Sequence, residues 1–138
     1  MAKTWQQKLH PKILPKRVVL EKPFAGIAKG ATLFVGTPML VKEFINTIPY
    51  GRSIEAVEMR RRFARAYQSD AMCPVSTGIF LRIIAEAAWE EIQQGKKLNQ
   101  VTPFWRIIDV HSPLAKKLAC GSGFIQQMRN NENIPSLH

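Results

Sequence analysis

Covalent catalysis needs a nucleophile beside a base, and this chain offers few of either. Its cysteines are Cys73 and Cys120, and its histidines are His10, His111 and His138. No CxxC, HExxH, GxxxxGK[ST] or GxSxG occurs. There is therefore no zinc-ligand spacing, phosphate loop or nucleophile elbow to read, and neither a metal nor a cofactor is expected. Cys73 stands just before a long apolar helix, one of the places where a nucleophilic cysteine is found. Cys120 follows Lys116 and Lys117. The commoner role for each is a small buried hydrophobe.

The chemistry the chain is equipped for is charge recognition. Twenty Lys and Arg face ten Asp and Glu, a net charge of +10 over 138 residues. Such an excess is the electrostatic footprint of an acidic partner, nucleic acid first and an anionic membrane surface second. No apolar run approaches the roughly 18 residues of a membrane span. Met1-Ala2-Lys3-Thr4-Trp5 leads into Gln and Lys, unlike a secretory signal. Two cysteines suit free thiols in a reducing cytoplasm.

The length fits one domain. Residues 1–31 read as a basic arm, broken by Pro11, Pro15 and Pro23, with Val18-Val19-Leu20 as a short strand and the remainder extended. Residues 32–138 read as the domain. Thr32–Val35 is a strand or extended segment. Thr37-Pro38 supplies an N-cap and a proline at the first helical position, and Pro49-Tyr50-Gly51 closes that helix. Ser53 reads as the next N-cap. Val57, Met59, Phe63, Ala64, Ala66 and Tyr67 form this helix's apolar arc. Arg60 falls inside that arc, either snorkelling or meeting an anion.

Residues 68–75 read as a loop. Ser76 or Thr77 caps a long, mostly buried helix that runs to about Gln94 and stops at Gly95. Its acidic C-terminal end, with Glu86, Glu90 and Glu91, would repel phosphate, so a nucleic-acid contact belongs at its N-terminal end. Val101–Ile108 reads as a strand, with Pro103 marking an edge or entry position. A loop with Lys116 and Lys117 follows, then a last helix at about 123–132, capped by Ser122. The expected fold is α+β, mainly α: a winged helix-turn-helix with a short β wing and an extended basic N-terminal arm.

Three stretches occur in a telling order: Ile48-Pro49-Tyr50-Gly51-Arg52, the Cys73-Pro74 loop with its long helix, and Thr102-Pro103-Phe104-Trp105-Arg106-Ile107-Ile108. Over residues 32–135 the chain resembles the DNA-binding domain of the 6-O-methylguanine-DNA methyltransferase family, in its alkyltransferase-like branch. The family pattern has a Pro-Cys-His-Arg-Val segment and a Gly-Gly loop. Here Pro103, Arg106 and Ile107 match the first, and Gly121-Ser122-Gly123 stands near the second. The acceptor cysteine falls on Phe104 and its histidine on Trp105, and neither side chain can perform those roles. The family's arginine finger falls near Gly78, with Arg82 one turn later, and its tyrosine falls near Ala56.

The resemblance implies a non-enzymatic protein on a DNA-repair scaffold that binds double-stranded DNA and senses alkylated guanine without repairing it. Arg52, Arg61, Arg62, Arg65, Lys116 and Lys117 would neutralise phosphates. Ser76, Thr77 and Arg82 would face bases. Phe104, Trp105 and Arg106 are the candidate base pocket, by stacking, although the two aromatics equally fill the vacated space. The alternative is a protein- or RNA-interaction module on the same scaffold. A third reading is an alkyltransferase using Cys73 or Cys120.

Overall fold

A computed structural model describes residues 3–135. Met1, Ala2 and residues 136–138, His138 among them, lie outside the described residues. The fold is α+β and mainly helical. Its elements run α1 (Trp5–Lys8), β1 (Lys16–Val19), β2 (Thr32–Val35), α2 (Pro38–Asn46), α3 (Ala56–Ala66), β3 (Ala71–Met72), α4 (Pro74–Gln93), α5 (Pro113–Lys117) and α6 (Gly121–Asn131).

Helix α4 is the central element, because it is apolar nearly all round. Helix α2 packs on it, α1 covers part of it, and the segment at Phe104–Arg106 closes it from another direction. Local chemistry sets the helix ends. Thr37 Oγ1 accepts from Leu40 N–H at 3.2 Å, with Pro38 in the first turn. Helix α4 starts two residues before the expected cap. Cys73 is its N-cap, its Sγ accepting from Ser76 N–H at 3.5 Å, and Pro74 opens the helix. Gly95 just beyond α4 adopts φ +98°, a conformation that favours glycine. Helix α3 is capped by the backbone of Glu55 rather than by Ser53. Helix α6 starts at Gly121 with Cys120 as its cap, rather than at Ser122.

Three short strands form one sheet in the order β1-β2-β3. β1 runs antiparallel to β2, with Lys16 opposite Val35 and Val19 opposite Thr32. β2 runs parallel to β3, with Leu33 opposite Ala71. β3 lies in the stretch expected to be a loop.

Two expectations change. Val101–Ile108 is not a strand, and no strand follows α4 among the described residues. The segment instead makes 3-10 turns at Leu98–Gln100 and Phe104–Arg106. Its β-branched and aromatic residues suit a strand, but no strand lies alongside to pair with it. Its backbone is satisfied by turns instead, Arg106 N–H to Pro103 O and Ile108 N–H to Phe104 O, both at 3.0 Å. Lys116 and Lys117 accordingly sit on the short helix α5, not on a β wing.

The arm, too, is less extended than expected. Leu9 is buried in the core, Gln6 Nε2 donates to Ala87 O at 2.9 Å, and β1 belongs to the sheet.

Candidate functional site

The N-terminal approach to α3 is tied to the segment after α4 by Ile54 N–H donating to Arg106 O at 3.0 Å. This bond brings Ser53–Val57 opposite Ile107–Asp109. Gly78 and Leu81 of α4, Leu114 of α5 and Arg129 of α6 complete the walls of a cavity of about 360 Å³. Its lining is mostly apolar, with Ser53, Glu55, Asp109, Ser112 and Arg129 as polar groups. Gly78 presents no side chain, and a Cβ there would meet nothing within 4 Å.

Arg129 is the buried charge of this site, at 4% exposure. One guanidinium nitrogen, Nη1, donates to Trp105 O at 2.8 Å. Burial pushes its pKa down, opposed by the nearby charges of Asp109 and Glu132. The residue was legible only as a cation four residues after Ile125, on the buried face of the last helix.

Two grooves share lining residues with the cavity. One continues from Ser53–Val57 to Glu58, Arg61 and Arg62, and holds about 510 Å³. The other continues from Gly78 and Leu114 to Lys8, Arg82 and Lys117, and holds about 550 Å³. Exposed apolar side chains stand along them: Val57 at 37%, Val75 at 52% and Ile79 at 56%.

Of the residues expected from sequence, the fold places Arg61 and Arg62 on one of these grooves and Arg82 and Lys117 on the other. Arg61 and Arg62 both pair with Glu58 at 3.3 Å. Those bonds hold Glu58 below the ordinary carboxylate pKa. Arg82 lies 3.8 Å from Glu86 and over the Trp5 ring, 5.5 Å from its centroid. Arg52, Arg65 and Lys116 are exposed and line neither groove. Ser76 is partly buried, its hydroxyl without a partner among the described residues. Thr77 does not face a base: it is buried and its hydroxyl donates to Cys73 O at 2.6 Å.

The expected base pocket also lies elsewhere. Phe104 and Trp105, at 0% and 2% exposure, pack edge to face in the core with Phe124 against both. Neither ring has a face open for stacking. Arg106 is locked to the buried Glu132, which accepts from its Nε at 2.8 Å and its Nη2 at 3.0 Å. Glu132 also accepts from Trp105 Nε1 at 2.6 Å and Gly51 N–H at 2.9 Å. Burial alone would raise this carboxyl's pKa, but these donors, Arg106 foremost, hold it below the ordinary value.

Cys73 is buried, and Cys120 is half-buried with its pKa pushed up to about 11 by burial and by the charge of Glu86. Among the described residues no three of His, Cys, Asp and Glu gather where they could hold a metal ion. Nor is any helix long and apolar enough to cross a membrane. No protein-family model, no curated protein and no solved structure matches the chain.

Proposed function

We propose that this protein binds double-stranded DNA without catalysis, laying the N-terminal end of α4 against the duplex. The observation that carries the reading is the apolar cavity at that end, flanked on one side by Arg61 and Arg62 and on the other by Lys8, Arg82 and Lys117. Cations on both sides of one helix end suit a phosphate backbone running past it, and the helix dipole adds attraction there. In this reading α4 is the element presented to the duplex, and Lys117 of α5 lies beside it.

The cavity suits a single base turned out of the stack. Arg129 at its wall offers N–H donors of the kind that read the O6 and N7 acceptors of guanine. N7 stays free to accept in a guanine alkylated at O6, so these donors suit alkylated and unmodified guanine alike, and a role in sensing alkylated guanine rests on the resemblance to alkyltransferase-like proteins. Among the described residues no cysteine lines the cavity, so the lesion would be held and not repaired.

Fluorescence anisotropy across a salt series tests the reading, using two short duplexes identical except for one 6-O-methylguanine. Salt-dependent binding of both, tighter for the modified duplex, is the expected result. Salt-independent binding, or none, would defeat it. One observation favours the alternative of a protein-interaction module: the exposed end of α4 carries Val75 and Ile79, apolar side chains that make no hydrogen bond to a base.

A further inference from the structure

The sheet has one open edge, and its chemistry differs from that of the cavity. On β2, Thr32 O and Phe34 O accept from Asp70 N–H and Cys73 N–H, at 2.9 and 2.8 Å, so the backbone of these residues faces β3. Leu33 and Val35, which alternate with them, face β1 and pair with Val18 and Lys16. The remaining residues of β1, Arg17 and Val19, therefore turn their N–H and C=O groups outward from the sheet. β1 is the end strand, and no described strand lies beyond it.

The side chains around this edge are of two kinds. Leu14 is 85% exposed and Val19 67% exposed, among the most exposed large apolar residues of the described chain. Along the chain, residues 12–29 carry Lys12, Lys16, Arg17, Lys22 and Lys29 against Glu21 alone. Arg17 spends one donor locally, on Gln68 O at 2.9 Å. Lysines and a preceding proline are the usual guards of an edge strand against pairing with itself, and here Pro15 and Lys16 fill those places. Two copies of this edge would bring like charges together. An extended segment of opposite charge meets no such barrier.

We infer that β1 is a docking edge for an extended acidic segment of a partner protein, which adds as a fourth strand. The outward backbone groups of Arg17 and Val19 would bind its main chain. Its apolar side chains would cover Leu14 and Val19, and its carboxylates would meet the lysines. Duplex DNA offers charge but neither a strand backbone nor apolar side chains for these positions. The edge shares no residue with the cavity or its two grooves, so the inference stands apart from the DNA reading.

The test uses the full chain and a fluorescein-labelled peptide of alternating Glu and Val, ten residues long. Controls are its Lys-Val counterpart, the Glu-Val peptide N-methylated at alternate residues, and a short DNA duplex. The Glu-Val peptide is expected to bind, and the N-methylated form at least tenfold more weakly. Val19→Pro, which removes one outward N–H at an edge position, should cost a similar factor with the fold retained by circular dichroism. The triple variant Lys12→Glu/Lys16→Glu/Lys22→Glu should reverse the preference toward the Lys-Val peptide. Equal binding of the methylated peptide would reduce the contact to unspecific charge attraction and overturn the inference. So would no binding of the Glu-Val peptide at millimolar concentration, or amide shifts in β1 produced by DNA and not by the peptide.

Discussion

Glu132 shows how much one side chain can organise. Two nitrogens of Arg106, the indole of Trp105 and the Gly51 amide all converge on its carboxylate. Glu132→Ala leaves Arg106 partly buried without its carboxylate partner, and should cost about 3–5 kcal/mol of stability, read by urea unfolding. The acid response has a definite sign. The folded-state pKa of Glu132 is depressed, so its contribution is fully present above the ordinary carboxylate range. It is lost as pH falls through the lowered folded value, and Glu132→Gln should flatten that acid limb of the stability curve. Cys120 behaves in the opposite sense. With its thiol pushed up to about 11, iodoacetamide at neutral pH should label it more slowly than a free cysteine, and its labelling should still rise at pH 10.

At the scale of elements, α4 and its neighbour α1 decide what reaches the cavity. Gly78 is the point of α4 shared by the cavity and the Arg82 groove. A glycine inside a helix is costly, and the space over it is open. Gly78→Ala should therefore raise stability by about 0.5–1 kcal/mol. Gly78→Leu should keep the fold and fill part of the cavity, removing any preference for the modified duplex while general DNA binding persists. Helix α1 has only one turn and depends on its docking. Leu9→Ala should cost about 2–5 kcal/mol, the range for emptying a buried leucine site. It should also shift Trp5 fluorescence as the ring leaves Lys8 and Arg82.

For the molecule as a whole, the net charge of +10 makes salt the decisive variable. If Lys8, Arg61, Arg62, Arg82 and Lys117 each neutralise one phosphate, the log–log salt slope for duplex binding should approach about −4.5. Replacing Lys117 with Ala should reduce its magnitude by about 0.9 and weaken binding evenly across DNA sequences. A slope unchanged in that variant would place the DNA elsewhere on the surface.

Much of this architecture lies in local chemistry, and so could be read directly. Thr37 and Pro38 start α2, the apolar run to Gln93 makes α4, and Gly95 lies just past its end. The basic excess needs no fold at all. The Thr37 cap, helical period and composition act within a few residues, which is why sequence alone determined them, whereas the caps expected at Ser53, at Ser76 or Thr77 and at Ser122 fell on Glu55, Cys73 and Cys120. Tertiary packing decided the rest. Phe104-Trp105 within Val101–Ile108 has strand-like residue types. It becomes a buried 3-10 turn because no strand is there to pair with it and an aromatic cluster is there to receive it. Thr77 sits on the helix end expected to face bases, but packing turned its hydroxyl back onto Cys73. Arg129 is an ordinary helix residue in sequence and a cavity wall in the fold, since the cavity is made of segments far apart in the chain that meet only when folded. Whether a side chain is buried or open depends on neighbours far away in the chain, and no local period encodes them.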